Sequence, residues 1–273
     1  AVRIGDKTLE TFSILGPLIY DFPIPKGKQV EIFDLIFPSP LIGASFKSEK
    51  NIMQMWMRMG IGGTIYKTIM SKKRPGNPFP RLQDAFYEDR KGILNALGLP
   101  GPGIDQFTKD ILVSELWTFR RPLGISIGGN NHYEYIENIK KIESAINNTH
   151  EQYFYELNIS CPNTKSGSTI CQNPEILELL LVELRDILNK VISIKISPDV
   201  PNETLLKVGE IASLFDKVII NAGNTKFITP MEVGVDKPNF SMEGGGLSGA
   251  PIFKRTLEMV GLFSNFKNPI MAT

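Results

Sequence analysis

The stretch VISIKIS at 191–197 alternates with period two: Ile192, Ile194 and Ile196 share one face, and Ser193, Lys195 and Ser197 share the other. YFYELNIS at 153–160 is built the same way, with Tyr155, Leu157 and Ile159 opposed to Glu156, Asn158 and Ser160. Further apolar runs of strand length lie at 40–45, 61–67, 122–128, 217–221 and 268–273, and helical patterns fall near 48–59, 133–147, 174–190, 203–214 and 250–264. The 174–190 helix has its own start signal: Asn173 can cap, Pro174 suits the first helical position, and Glu175 favours the positive end of the dipole. Strand–helix alternation specifies a parallel sheet, either doubly wound or closed into a barrel. A doubly wound sheet is covered by helices on both sides and is apolar on both faces. Strands with one apolar and one polar face instead suit the wall of a cylinder with a polar interior. The expected fold is therefore an α/β (β/α)8 barrel of the TIM type.

That fold puts its chemistry at the C-terminal strand ends. Lys67 ends the second strand, Asn158 to Cys161 end the fourth, Lys195 lies near the end of the fifth, and Asn221 to Thr225 follow the sixth. About seven strands are countable and the last residue, Thr273, directly follows the seventh, so the eighth strand and its helix find no place in the sequence as given.

The 273 residues suit one large domain, and a net charge of +1 suggests neither nucleic acid nor an anionic membrane as partner. The early apolar stretch ILGPLIYDFPIP is broken by Gly16, Pro17, Asp21 and Pro23 before it reaches spanning length. No secretory signal is visible, and a cytoplasmic location is expected. Cys161 and Cys171 form no disulfide framework or CxxC pair, and His132 and His150 sit in polar contexts without a role, so no metal site is expected.

Cys161 is placed oddly for a structural cysteine. ELNISCPNTKSG, 156–167, begins as a strand and ends in a polar loop, with the thiol at the join. Around it stand GAS (43–45), YKT (66–68), GNPFPR (76–81), NALGLPGPG (95–103), IKISP (194–198), NAGNT (221–225) and GGLSG (245–249). With these motifs in this order, the chain from about Leu41 onward resembles the dihydroorotate dehydrogenases, flavoenzymes of pyrimidine synthesis built on an FMN-holding barrel. GGGLSG at 244–249 also fits the dinucleotide fingerprint, but PNFSME precedes it where an apolar strand is needed, so a Rossmann reading fails.

The resemblance implies a role for each motif. Cys161 matches the base of the soluble branch, which takes a proton from C5 of dihydroorotate while a hydride leaves C6 for the flavin. A thiol, with a pKa of about 8.5, is a plausible base near neutrality, and it must lie on a loop to reach substrate. Asn95, Asn158, Asn163 and Asn224 would grip the pyrimidine ring, whose donors and acceptors suit side-chain amides, with Thr225 and the backbone of Leu97, Gly98 and Leu99 assisting. Lys67 would serve both the substrate carboxylate and the flavin. Lys195, on the polar face of its strand, would stabilise negative charge on the reduced flavin, with Ala44, Ser45, Asn158, Asn221, Gly245, Gly246 and Ser248 completing the cofactor site. Residues 38–273 are then the FMN-binding barrel, and 1–37 add extra strands or a hairpin to the same domain. The family's phosphate-binding turns follow strands seven and eight, so a protein ending at Thr273 is expected to hold FMN poorly.

For partners, the resemblance implies dihydroorotate and orotate, an acceptor that is fumarate or an FAD and iron–sulfur subunit that reduces NAD, and a homo-oligomer. Other readings stay open. A dihydropyrimidine dehydrogenase-like flavoenzyme would prefer dihydrouracil, which lacks the carboxylate. A Schiff-base lyase would use Lys195 as nucleophile and be colourless. A catalytically silent barrel would bind flavin without oxidising a ring.

Overall fold

The strands that alternate in sequence pair side by side in chain order. A computed structural model describes residues 16–146, 149–159 and 172–273, together with Thr8, Thr11, Phe12 and Ile170. A short helix α1 (Gly16–Ile19) precedes the hairpin β1 (Val30–Ile32) and β2 (Leu35–Phe37). Then follow β3 (Ile42–Gly43), α2 (Lys50–Arg58), β4 (Gly63–Ile69), a second hairpin of β5 (Leu82–Tyr87) and β6 (Arg90–Asn95), and α3 (Ile104–Leu112). The next units are β7 (Leu123–Ile127), α4 (His132–Ile146), β8 (Tyr153–Asn158), α5 (Pro174–Ile187), β9 (Ile192–Ile196), α6 (Asn202–Ser213) and β10 (Val218–Ala222). The described chain closes with β11 (Lys226–Ile228), β12 (Gly245–Gly249), α7 (Phe253–Phe263) and β13 (Ile270–Ala272).

β3, β4, β7, β8, β9, β10 and β13 form one seven-stranded sheet with every neighbouring pair parallel. This is the strand order of an α/β barrel. The faces divide as the alternation requires. Ile192, Ile194, Ile196, Tyr155 and Leu157 are buried in the core between sheet and helices, each contributing about 1.5–3 kcal/mol by leaving water. α5 meets that core through Leu177, Leu180, Leu181 and Leu184. Asn173 does stand at its N-cap position, but the asparagine side chain makes no capping bond, so Pro174 at the start and Glu175 in the first turn carry the start signal.

Inside the sheet the residues are layered. Ile65, Phe154, Val191 and Ile219 form an apolar plug at the N-terminal end, and Leu35 and Phe37 of the β1–β2 hairpin pack onto it. Gln152, just before β8, ties the hairpin in place by accepting from Ile36 N and donating to Asp34 O, both at 3.0 Å. Above the plug the ladder sets Ser126, Glu156 and Ser193 at one level, and Asn158, Lys195 and Asn221 at the next. The interior thus turns from apolar to polar toward the C-terminal strand ends.

β5, β6, β12 and β11 form a separate antiparallel sheet over that polar end. Its far face packs Ala85, Leu94, Leu247 and Ile228 into a small core of their own. The sequence pattern does not announce this sheet, nor α3.

Candidate active site

A cavity of about 770 Å³ lies between the C-terminal end of the parallel sheet and the antiparallel sheet, within the ~300–1,000 Å³ typical of small-molecule sites. Its floor depends on an irregularity in β4. Tyr66 pairs with Ile125 and Ile69 with Ile127, three steps along one strand against two along the other. Tyr66 and Ile69 both point out into the helix-side core. The extra residue lets two successive side chains, Lys67 and Thr68, face the cavity. Thr68 Oγ1 accepts from Asn158 Nδ2 at 2.7 Å and lies 3.0 Å from Ser126 Oγ. Tyr135 donates to the Asn158 carbonyl at 2.9 Å, so both the amide and the backbone at the end of β8 are held.

Burial pulls the Lys67 ammonium from its ordinary 10.5 down to about 8; Glu49 opposes the change, and Arg81 and Lys47 add to it. An anion in the cavity would reverse that cost. Lys195 reaches the same floor from β9, only 5% exposed. It donates to Ser45 Oγ at 3.2 Å, and Ser45 donates on to Glu156 Oε1 at 2.8 Å.

The roof is built from close-packed backbone. Asn95 Nδ2 donates to Gly246 O at 3.0 Å across the β6–β12 pair. A Cβ on Gly246 would run into the Thr225 side chain, and one on Gly245 would press on the Asn95 carbonyl. These glycines line the cavity, yet the space their missing side chains would take is filled by protein; they serve the packing of three strands rather than only a close approach to a ligand. Gly98 and Leu99 turn through positive φ, 73° and 51°, and Asn77 leaves no room for a side chain at position 98.

Of the residues singled out from the sequence, Ala44, Ser45, Lys67, Asn95, Leu97, Gly98, Leu99, Asn158 and Lys195 line this one cavity. Asn224, Thr225, Gly245, Gly246 and Ser248 join them. Asn221 does not. Its Nδ2 is drawn one layer down to Glu156 Oε2 at 2.8 Å, and its Oδ1 accepts from Thr273 at 2.6 Å, which leaves it beneath the floor. Cys161 and Asn163 lie outside the described residues. Sequence reading missed Thr68, hidden by the bulge, and the apolar walls Leu82, Ile93 and Phe227, which come from the unannounced sheet. It also gave no role to Glu156, although the alternation of 153–160 placed that carboxylate on the inner face.

The arrangement offers amides for a ring with mixed donors and acceptors, two ammonium groups for negative charge, and apolar walls for flat faces. Among the described residues no helix is long and apolar enough to cross a membrane. Residues 28–273 match the family model described as dihydroorotate dehydrogenase. The catalytic subunit of dihydroorotate dehydrogenase B (NAD(+)) from Bacillus cereus strain G9842 is 33% identical over 245 residues, spanning 85% of this chain and 72% of that protein. The same subunit from Bacillus thuringiensis strain Al Hakam is 32% identical over the same spans. In fold, the chain superposes with a TM-score of 0.77 on ligand-free DHODH from Eimeria tenella, at 22% identity, covering 100% of this chain and 82% of that one. The chain belongs to the dihydroorotate dehydrogenase family, a family of flavin-dependent oxidoreductases.

Proposed function

We propose that this chain oxidises dihydroorotate to orotate with FMN as the resident cofactor and Cys161 as the base. The observation that carries the reading is the convergence of Asn95, Asn158, Asn224, Thr225, Lys67 and Lys195 on one cavity at the C-terminal strand ends. The donor set fits the two ligands. The amides answer the ring's N–H and C=O groups, and Lys67 supplies the cation for the substrate carboxylate, which would restore its lowered proton affinity. Lys195, with Ala44 and Ser45 beside it, would hold the flavin. When bound, FMN supplies the hydride acceptor.

The protein's own part is binding, orientation and one proton. Asn158, at the end of β8, is held by Thr68 and Tyr135, and Cys161 follows three residues later in the sequence. From there the thiolate would take the C5 proton, and the apolar walls of Leu82, Ile93 and Phe227 would keep bulk water from the ring.

The Bacillus relatives are named as NAD(+)-linked catalytic subunits. That favours a route in which electrons leave through a partner subunit carrying FAD and an iron–sulfur centre over direct use of fumarate. The test is orotate formation from dihydroorotate with fumarate, NAD and a quinone offered in turn, with and without a candidate partner. Turnover of dihydrouracil in preference to dihydroorotate would defeat the substrate assignment, and a protein that takes up no flavin even with FMN in large excess would defeat the reading as a whole.

A further inference from the structure

Glu156 is 0% exposed, the most deeply buried carboxylate on the inner face of the sheet. Burying a carboxylate without partners is costly, so a carboxylate kept there must be tied to donors and to positive charge. Three strands supply the ties. From the β3 end, Ser45 Oγ donates to Oε1 at 2.8 Å, and from β10, Asn221 Nδ2 donates to Oε2 at 2.8 Å. From β9, the Lys195 ammonium donates to the same Ser45 oxygen at 3.2 Å. Thr273 donates to Asn221 Oδ1 and fixes the way that amide faces. Each of the four hydrogen bonds in the chain Lys195–Ser45–Glu156–Asn221–Thr273 thus points toward the carboxylate, an order that suits an ionised Glu156 and an ammonium at Lys195.

We propose that Glu156 is the counter-charge of Lys195: it holds the ammonium at the cavity floor through the Ser45 hydroxyl and moderates the positive field that the ammonium projects into the cavity. This makes Glu156 a positioning residue, since it lies below the cavity and is not among the residues that line it. The inference rests on the flavin reading only for its second consequence, the effect on the flavin; the pairing itself concerns the protein alone.

Two measurements separate these. The first uses the chain without flavin and a double-mutant cycle of Glu156→Gln and Lys195→Met, read by urea unfolding. A counter-charge pair predicts non-additivity of at least about tenfold in the unfolding constant, or about 1.4 kcal/mol. Additivity within about twofold overturns the proposal. Should Glu156→Gln fail to fold, the cycle of Ser45→Ala with Lys195→Met tests the bridge instead: Ser45→Ala cuts it while keeping both charges, and additivity within about twofold there overturns the hydroxyl-mediated pairing. The second measurement is the midpoint potential of the flavin-loaded protein. Glu156→Gln leaves the ammonium uncompensated, so binding shifts toward reduced flavin by about tenfold, roughly +30 mV for a two-electron couple. Lys195→Met shifts it the other way, and Glu156→Asp, which keeps the charge, restores much of the wild-type value. A potential unmoved by Glu156→Gln, or moved in the direction of Lys195→Met, overturns the moderating role. If flavin does not bind at all, the function proposed above fails and the unfolding cycle decides the pairing by itself.

Discussion

Lys67 offers a direct test of whether the cavity is preorganised for an anion at the expense of the fold. Its ammonium is largely buried on the β4 bulge, and burial is the main cause that lowers it from 10.5 to about 8. At about 1.4 kcal/mol per tenfold, that displacement is a penalty of about 3 kcal/mol on the ligand-free fold at pH 7. The sign follows from proton binding. Between about 8 and 10.5 the unfolded chain holds the Lys67 proton and the folded chain has released it, so stability rises with pH across that window. Below about 8 both states are protonated and the penalty is fully present; near pH 10 about 1 kcal/mol of it remains. Lys67→Met, similar in length and uncharged, is therefore expected to stabilise the chain without ligand by up to about 3 kcal/mol at pH 7, and by about 1 kcal/mol at pH 10. The same variant should lose most of its affinity for orotate, because the carboxylate loses its cation. Urea unfolding of the two proteins at both pH values measures the first effect, and titration with orotate measures the second. A variant no more stable than wild type at pH 7, or a stability difference that does not change with pH, would refute the argument that the site strains the fold to receive an anion.

Three further substitutions probe the rest of the proposed function. Cys161→Ala should slow reduction of bound flavin by dihydroorotate by about 10²–10⁴-fold while flavin stays in place; near-normal reduction in a stopped-flow experiment would remove the thiol from the mechanism. Gly246→Ala drives a methyl group into Thr225 between β11 and β12, so a loss of about 1–3 kcal/mol is expected in urea unfolding, with weaker orotate binding as the roof shifts. Asn158→Leu removes the donor to Thr68 in a buried setting, at a cost of about 1–3 kcal/mol. An orotate affinity that survives this change would show that the end of β8 does not need the amide to receive the ring.

Much of this site was legible in the sequence because barrel walls obey a period of two. The alternation in 191–197 and 153–160 assigned the inner and outer faces of β9 and β8, and the structure keeps both assignments. The rest was hidden where backbone geometry departs from that period. The β4 bulge breaks alternation at the point where Lys67 and Thr68 turn inward, and its residues YKT carry no glycine to mark it. The β5–β6 hairpin turns on Glu88 and Asp89, both at positive φ. That two-residue turn usually advertises itself as Asn-Gly or Asp-Gly, and Glu-Asp here reads as an ordinary charged loop. Asn221 shows a different limit. Its parity and level in the sheet match Lys195, and the carboxylate one layer below, with Thr273 donating to its Oδ1, decides that its amide points down rather than into the cavity. Parity tells which side of a strand a polar group takes; its partners on other strands tell whether it meets the ligand or supports the residue that does. Glu156 belongs to the supporting class, which is why motif comparison passed over it and the hydrogen-bond directions did not.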